Sequence, residues 1–187
     1  MIIQFCGLSG SGKTTLANQV KCLLRQQDIG VEIIDGDTYR GTVCADLGFS
    51  KADRNENIRR LAAIANDFAK RHTLAIISAI NPYEDVRVEI ASKYSNVKTV
   101  YIDCSLNVLM QRDTKQLYRK ALLPNDHPDK INNLSGVNDP FEVPQHPDLT
   151  IKTDQESIEG SVQKLLEFVL CEFAANKNSG NSLIYKY

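Results

Sequence analysis

Near its start the chain carries Gly7-Leu8-Ser9-Gly10-Ser11-Gly12-Lys13-Thr14. This fits the pattern glycine, four residues, glycine, lysine, serine or threonine without a mismatch. The motif requires a strand before it and a helix after it, and the flanks supply both. Ile2 to Cys6 is an apolar run that reads as a buried strand. Thr15 to Gln27 reads as a helix, with apolar positions at Leu16, Ala17, Val20, Leu23 and Leu24. The glycines let the backbone curl until its N–H groups face a chain of phosphates. The helix N-terminus adds partial positive charge at the same point. A glycine-rich turn that merely joins strand to helix is the simpler alternative, and the match of motif to context weighs against it. The expected triphosphate-binding residues are therefore Ser9, Gly10, Ser11, Gly12, Lys13, Thr14 and Thr15. Lys13 can reach the β- and γ-phosphates, and the Thr14 hydroxyl can ligate Mg2+.

Downstream, strand and helix signals alternate, which predicts an α/β phosphate-loop fold of three layers. A central, mainly parallel sheet is flanked by helices. Strands are expected at Val31 to Ile34, Leu74 to Ile80, Val97 to Ile102 and Asp148 to Ile151. Helices are expected from Lys51 to about Arg71, from Tyr83 to Tyr94 and from Leu106 to Ala121. Ser50 is placed to cap the first of these. Thr153 with Glu156 reads as a capping box for a last helix ending near Ala175, followed by a frayed end at Asn176 to Gly180. Residues 123 to 147 hold five prolines and a glycine and read as a long irregular loop. Loops of that length in a compact domain are usually functional lids or disordered. The expectation is one domain, 1–175, with a lid at about 112–147 and a tail at 176–187.

The formal net charge of −1 offers no basic footprint for nucleic acid. No apolar run approaches the roughly 20 residues of a membrane span, and none reads as a signal peptide. Five scattered cysteines without a Cys-x-x-Cys pair suggest reduced packing thiols and a cytoplasmic setting.

A phosphate loop by itself does not name a reaction. A guanine-reading Asn-Lys-x-Asp is absent, and the hydrophobic strand ending in Asp-Glu of a motor ATPase is absent as well. Short length and an acidic pair after the second strand, Asp35 and Asp37, fit a small-molecule kinase better. Carboxylates just past a strand's carboxyl end lie where such sheets bind ligands.

Further motifs follow in order: Asp35-Gly36-Asp37-x-x-Arg40, then Gly48-Phe49-Ser50 with Asp53-Arg54-x-Glu56-Asn57-Ile58-Arg59-Arg60. Arg112-Asp113-x-Lys115-x-Leu117-Tyr118 and Gly136-x-x-Asp139-Pro140-x-Glu142 come after them. In this order they resemble the adenylylsulfate kinases, over residues 2 to about 170. The resemblance implies transfer of the ATP γ-phosphate to the ribose 3′-hydroxyl of adenosine 5′-phosphosulfate. It implies Asp37 as the base, with Lys13 as its catalytic partner on the phosphates, and Asp35 with Thr14 on Mg2+. It also implies Arg112 on the ATP side. On the acceptor side it implies Asp37, Arg40, Phe49, Arg54, Asn57, Ile80, Asn81, Lys115, Asn133 and Leu134. The implied partner is a small-molecule nucleotide, and the family suggests a homodimer.

Three departures stand out. Asn81 replaces the serine of an Ile-Ser-Pro. Leu134 replaces a phenylalanine that would complete an aromatic sandwich with Phe49. The segment Leu122 to Lys130, with His127 read as a surface residue, is longer than usual. A lost stacking face is worth about 1–3 kcal/mol. That leaves open a cytidine 5′-diphosphate derivative such as a diphosphoramidate used in capsule modification, or a nucleotide-binding relative without turnover.

Overall fold

Every residue from Ile2 to Cys6 is buried, and that places the first strand at the centre of the sheet. A strand buried on both faces needs helices above and below it. In the computed structural model of the protein, which describes residues 1–181, β1 (Ile2–Cys6) pairs in parallel with both β3 (Leu74–Ser78) and β4 (Val97–Asp103). The outer strands are β2 (Val31–Asp35) and β5 (Leu149–Lys152), giving the order β2-β3-β1-β4-β5. The sheet is wholly parallel rather than mainly so.

One face is covered by α1 (Lys13–Arg25) and α7 (Ile158–Asn181). Leu16, Val20 and Leu24 pack there with Val162, Leu165 and Val169. The other face is covered by α3 (Lys51–Lys70) and α4 (Glu84–Lys93), through Ile58, Leu61, Ala65, Val86 and Ile90. The short α2 (Gly36–Arg40) follows β2 directly. The chain leaves β1 and returns at β2 on one side, then crosses to β4 on the other. The crevice at that reversal, beyond the carboxyl ends of β1 and β3, is where such sheets bind ligands.

Most element ends lie within two residues of expectation, and Ser50 does cap α3 by accepting from the Asp53 amide at 3.1 Å. Three expectations need correction. The single helix from Leu106 to Ala121 is two, α5 (Leu106–Arg112) and α6 (Leu117–Ala121). The Asp113 carboxylate accepts from the amides of Tyr118 and Arg119, so it caps the second helix instead of continuing the first. Thr153 does not open the last helix. Its hydroxyl donates to the Ser11 and Asp103 carbonyls, and Ser157 makes the cap contact with the Gly160 amide. That helix also passes Ala175 and runs to Asn181, through the stretch read as frayed. Propagation adds one hydrogen bond per residue, so it needs no new nucleus there. The last six positions of the expected tail, Ser182 to Tyr187, lie outside the described residues.

The long loop is irregular but not loose. Cys104, Leu109, Tyr118, Ala121 and Leu134 form a third buried cluster, joined by Leu8 of the phosphate loop. Three of the five cysteines, Cys6, Cys44 and Cys104, are packed as expected. Cys22 and Cys171 are exposed on helices, and all five are free thiols.

Gly136 packs directly against Leu8 of the phosphate loop. Its φ is +84°, and a Cβ there would sit 2.6 Å from Leu8 Cδ2. Gly136→Ala should therefore cost about 1–2 kcal/mol from backbone handedness alone. At about 2–4 °C per kcal/mol for a chain this long, Tm should fall by roughly 2–8 °C. An unchanged melting temperature would contradict the tight turn.

Candidate active site

The phosphate loop turns on Gly10 and Gly12, with φ of +77° and +98°. This winding folds Lys13 back under the loop, only 8% exposed. Its Nζ donates to the carbonyls of Gly7 at 2.9 Å and Leu8 at 2.7 Å, and to Ser11 Oγ at 3.4 Å. Burial pushes the Lys13 ammonium down from the usual 10.5 to about 8, with the Lys115 charge adding to the fall and Asp37 opposing it. The loop is held from three sides. Tyr118 Oη donates to the Ser9 carbonyl, Thr153 Oγ1 to that of Ser11, and the Gly7 amide to that of Ile80.

Thr14 opens α1 beside the loop. Its hydroxyl donates to Asp35 Oδ2 at 3.0 Å and lies 3.2 Å from Ser78 Oγ. Asp35 Oδ1 meanwhile caps α2 by accepting from the amides of Asp37 and Thr38. So Asp35 both caps the turn and presents an oxygen to the loop. Asp37 caps nothing. It stands in the first turn of α2 with its side chain 75% exposed, and Lys115 Nζ from the lid meets its Oδ2 at 2.5 Å.

These groups line one cleft of about 690 Å³ between the phosphate loop, α2, the start of α3 and the lid. Thr15, Ile80, Asn81 and Asn133 share its walls. Phe49 is half exposed, with the guanidinium of Arg40 at 4.4 Å from its ring centroid and that of Arg54 at 5.4 Å. Arg40 is oriented by the carbonyls of Leu47 and Gly48. Arg54 donates to the Phe49 and Asn133 carbonyls and pairs with Asp139 at 3.1 Å, and burial pushes its guanidinium down. Asn57 is buried, with an Oδ1 that has no hydrogen-bond partner. Leu134 touches the cleft, but it is only 5% exposed and belongs to the lid's apolar cluster.

Ser11 and Arg112 are the sequence-derived site residues that do not line the cleft. Ser11 is buried behind the loop. Arg112 instead donates to the Thr153 carbonyl at 2.9 Å and to Cys104 Sγ. Ser78 and the loop straps Tyr118 and Thr153 were not singled out from sequence. Ser78 ends an apolar strand with no local mark of function. Tyr118 stands in a quoted motif, yet nothing local shows its target.

The adenylylsulphate kinase profile matches residues 1–152. The chain belongs to the adenylylsulphate kinase family. It is 40% identical to the adenylyl-sulfate kinase of Chloroflexus aurantiacus over 166 residues, covering 89% of this chain and 87% of that one. It is equally similar to the adenylyl-sulfate kinase of Deinococcus deserti, with 89% of each chain covered. Among solved structures, the APS kinase of Mycobacterium tuberculosis in complex with AMPPNP and APS superposes with a TM-score of 0.83 at 34% identity. The overlap covers 90% of this chain and 96% of that one. The family assignment makes the chain a phosphotransferase that uses ATP and an alcohol acceptor.

Lys13 gives the site a pH signature. Below pH about 8 the folded and unfolded chains both hold its proton, and the burial cost is carried in full. Between about 8 and 10.5 only the unfolded chain holds it, so this group's contribution to stability rises with pH. Phosphate oxygens would reverse the shift by favouring the charged form. ATP binding at pH about 8.5 should then take up a fraction of a proton, and affinity should fall as pH rises through that range. Calorimetry in two buffers of different ionisation enthalpy measures this, and proton release would contradict it.

Proposed function

We propose that this enzyme transfers the γ-phosphoryl group of ATP to the ribose 3′-hydroxyl of adenosine 5′-phosphosulfate, a step of sulfate assimilation. The observation that carries the reading is Asp37. Its carboxylate is not used as a cap and faces a cleft whose opposite wall is the phosphate loop. A ribose hydroxyl is a poor nucleophile near neutral pH, and an aligned base typically contributes about 10²–10⁴-fold. Asp37 takes the hydroxyl proton as the oxygen attacks the γ-phosphorus, and the bond to the ADP oxygen breaks. Lys13 exchanges its loop carbonyls for phosphate oxygens. Lys115 is a second cation at the point where charge develops on the moving group, as phosphoryl transfer requires. On the acceptor side, Arg40, Arg54 and Asn57 present donors and a fixed amide to the phosphosulfate. Phe49 offers a ring face to the base, and the turn of Ile80 and Asn81 with Asn133 and Leu134 closes the pocket.

Magnesium fits the oxygen set at Thr14. Two hydroxyls and one carboxylate meet within 3.0–3.2 Å. Magnesium is usually held by one or two carboxylates plus substrate phosphates rather than by a full protein cage. No cluster of three or more His, Cys, Asp or Glu occurs among the described residues. When bound by Thr14 and Asp35, the ion supplies charge neutralisation for the β- and γ-phosphates.

The cytidine diphosphate alternative gains no support from the relatives above. Packing in the lid cluster is itself a sufficient reason for Leu134. A panel of 5′-modified purine and pyrimidine nucleotides, assayed for acceptor-dependent ADP release, separates the readings. Adenosine phosphosulfate should give the highest turnover; release that no acceptor stimulates would refute a kinase. Asp37→Asn should lower kcat by at least about tenfold while ATP still binds. Turnover near wild type would remove Asp37 as the base.

A further inference from the structure

Arg87 is among the largest fully buried side chains, 2% exposed, in the first half of α4. Burying a guanidinium is costly unless every donor direction is used. Here Nη1 donates to the Asn81 carbonyl at 2.6 Å, Nη2 to the Glu142 carbonyl at 2.6 Å, and Nε to Glu84 Oε2 at 2.8 Å. The fork therefore ties the turn after β3 to the chain returning from the lid, whose Glu142 lies 55 positions beyond Arg87.

Other bonds close the same knot. The Glu142 amide donates to the Pro82 carbonyl, and the Glu84 amide to Glu142 Oε2. The central strand joins in through Gln4. Its Nε2 donates to the Arg87 carbonyl and to Thr99 Oγ1, which leaves its Oε1 to accept from Asn81 Nδ2. Asn81 itself is held at a φ of +48°, 1% exposed, a conformation that a non-glycine residue keeps only when its surroundings impose it.

Ile80, Asn81 and Pro82 line the cleft, whereas Arg87 does not. We infer that Arg87 is a positioning residue for the nucleotide acceptor: its buried fork sets the Ile80-Asn81-Pro82 turn against the lid's return segment and so shapes the acceptor wall. The inference rests on the kinase reading above. The phosphate loop meets this turn through the Gly7 amide on the Ile80 carbonyl, but it has two further anchors, Tyr118 on Ser9 and Thr153 on Ser11, so the acceptor should respond more strongly than ATP. Lysine cannot replace the fork, because one ammonium lacks the planar geometry that reaches two carbonyls and a carboxylate together.

The test is steady-state kinetics of the full chain carrying Arg87→Lys, Arg87→Met and Glu142→Ala, with adenosine phosphosulfate and ATP varied separately. For both Arg87 variants the acceptor KM should rise by at least about tenfold, with the ATP KM within about twofold of wild type. Glu142 is exposed, and its truncation removes the side-chain bond to the Glu84 amide while leaving its backbone bonds to Arg87 and Pro82 in place. It should raise the acceptor KM by about threefold, again without moving that of ATP. A purely structural Arg87 would lower kcat through loss of folded enzyme and leave both KM values unchanged, which would overturn the inference. If the Arg87 variants do not fold, Glu142→Ala decides alone, and an unchanged acceptor KM overturns it. A wild-type enzyme without acceptor-stimulated ADP release would instead refute the kinase reading itself.

Discussion

A lysine ammonium buried against carbonyl oxygens is the interaction on which the rest of this structure depends. Among the described residues Lys13 makes no direct ion pair. It is held by the Gly7 and Leu8 carbonyls and the Ser11 hydroxyl. Removing a charge from water costs several kcal/mol even after relaxation. Charge-assisted hydrogen bonds return about 1.5–3 kcal/mol each. The loop can hold that balance only if its carbonyls converge, which needs left-handed glycines and a rigid strand behind them. Strand β1, fully buried between β3 and β4, supplies the rigidity. The same geometry makes the loop ready to trade its own carbonyls for an anion.

The lid is built on the same point. Leu8 of the loop packs into the lid's apolar cluster, Gly136 presses against Leu8, and Tyr118 reaches the Ser9 carbonyl. The lid is thus an extension of the phosphate loop rather than a separate flap. Its contact with the proposed base is of another kind. The Lys115–Asp37 pair is exposed, 55% and 75%. Exposed pairs are worth about 0–1 kcal/mol, so a phosphate can take the lysine from the carboxylate at little cost. Strong packing fixes where the lid sits, and a weak ion pair leaves its charge available.

On the proposed acceptor wall the arginines do two jobs. Arg40 and Arg54 both lie within cation–π distance of Phe49, which fixes the ring while leaving half of it open. Arg54 is also the link between α3 and the lid, through Asn133 and Asp139. Arg54 thus lines the cleft and also ties α3 to the 112–147 segment, so the proposed acceptor wall is built from both.

The sequence by itself determined whatever depends on near neighbours in the chain. The phosphate loop, the alternation of strands and helices, the Ser50 cap and the acidic pair after β2 all follow from local pattern, and the site residues named from the loop and from the family resemblance gather in one cleft apart from Ser11 and Arg112. The tertiary structure decided what depends on distant partners. Thr153 reads as a helix cap, yet it binds a carbonyl 142 positions away. The helix pattern through Asp113 looks continuous, yet packing against the phosphate loop breaks it there and turns the carboxylate into a cap. Arg87 carries no local mark of its role, and becomes a buried clamp only because a strand, a turn and the lid's return meet around it. Side-chain periodicity records which face of an element is apolar. It carries no record of which carbonyl from another part of the chain will stand opposite a given donor, and that pairing is settled only when the layers pack.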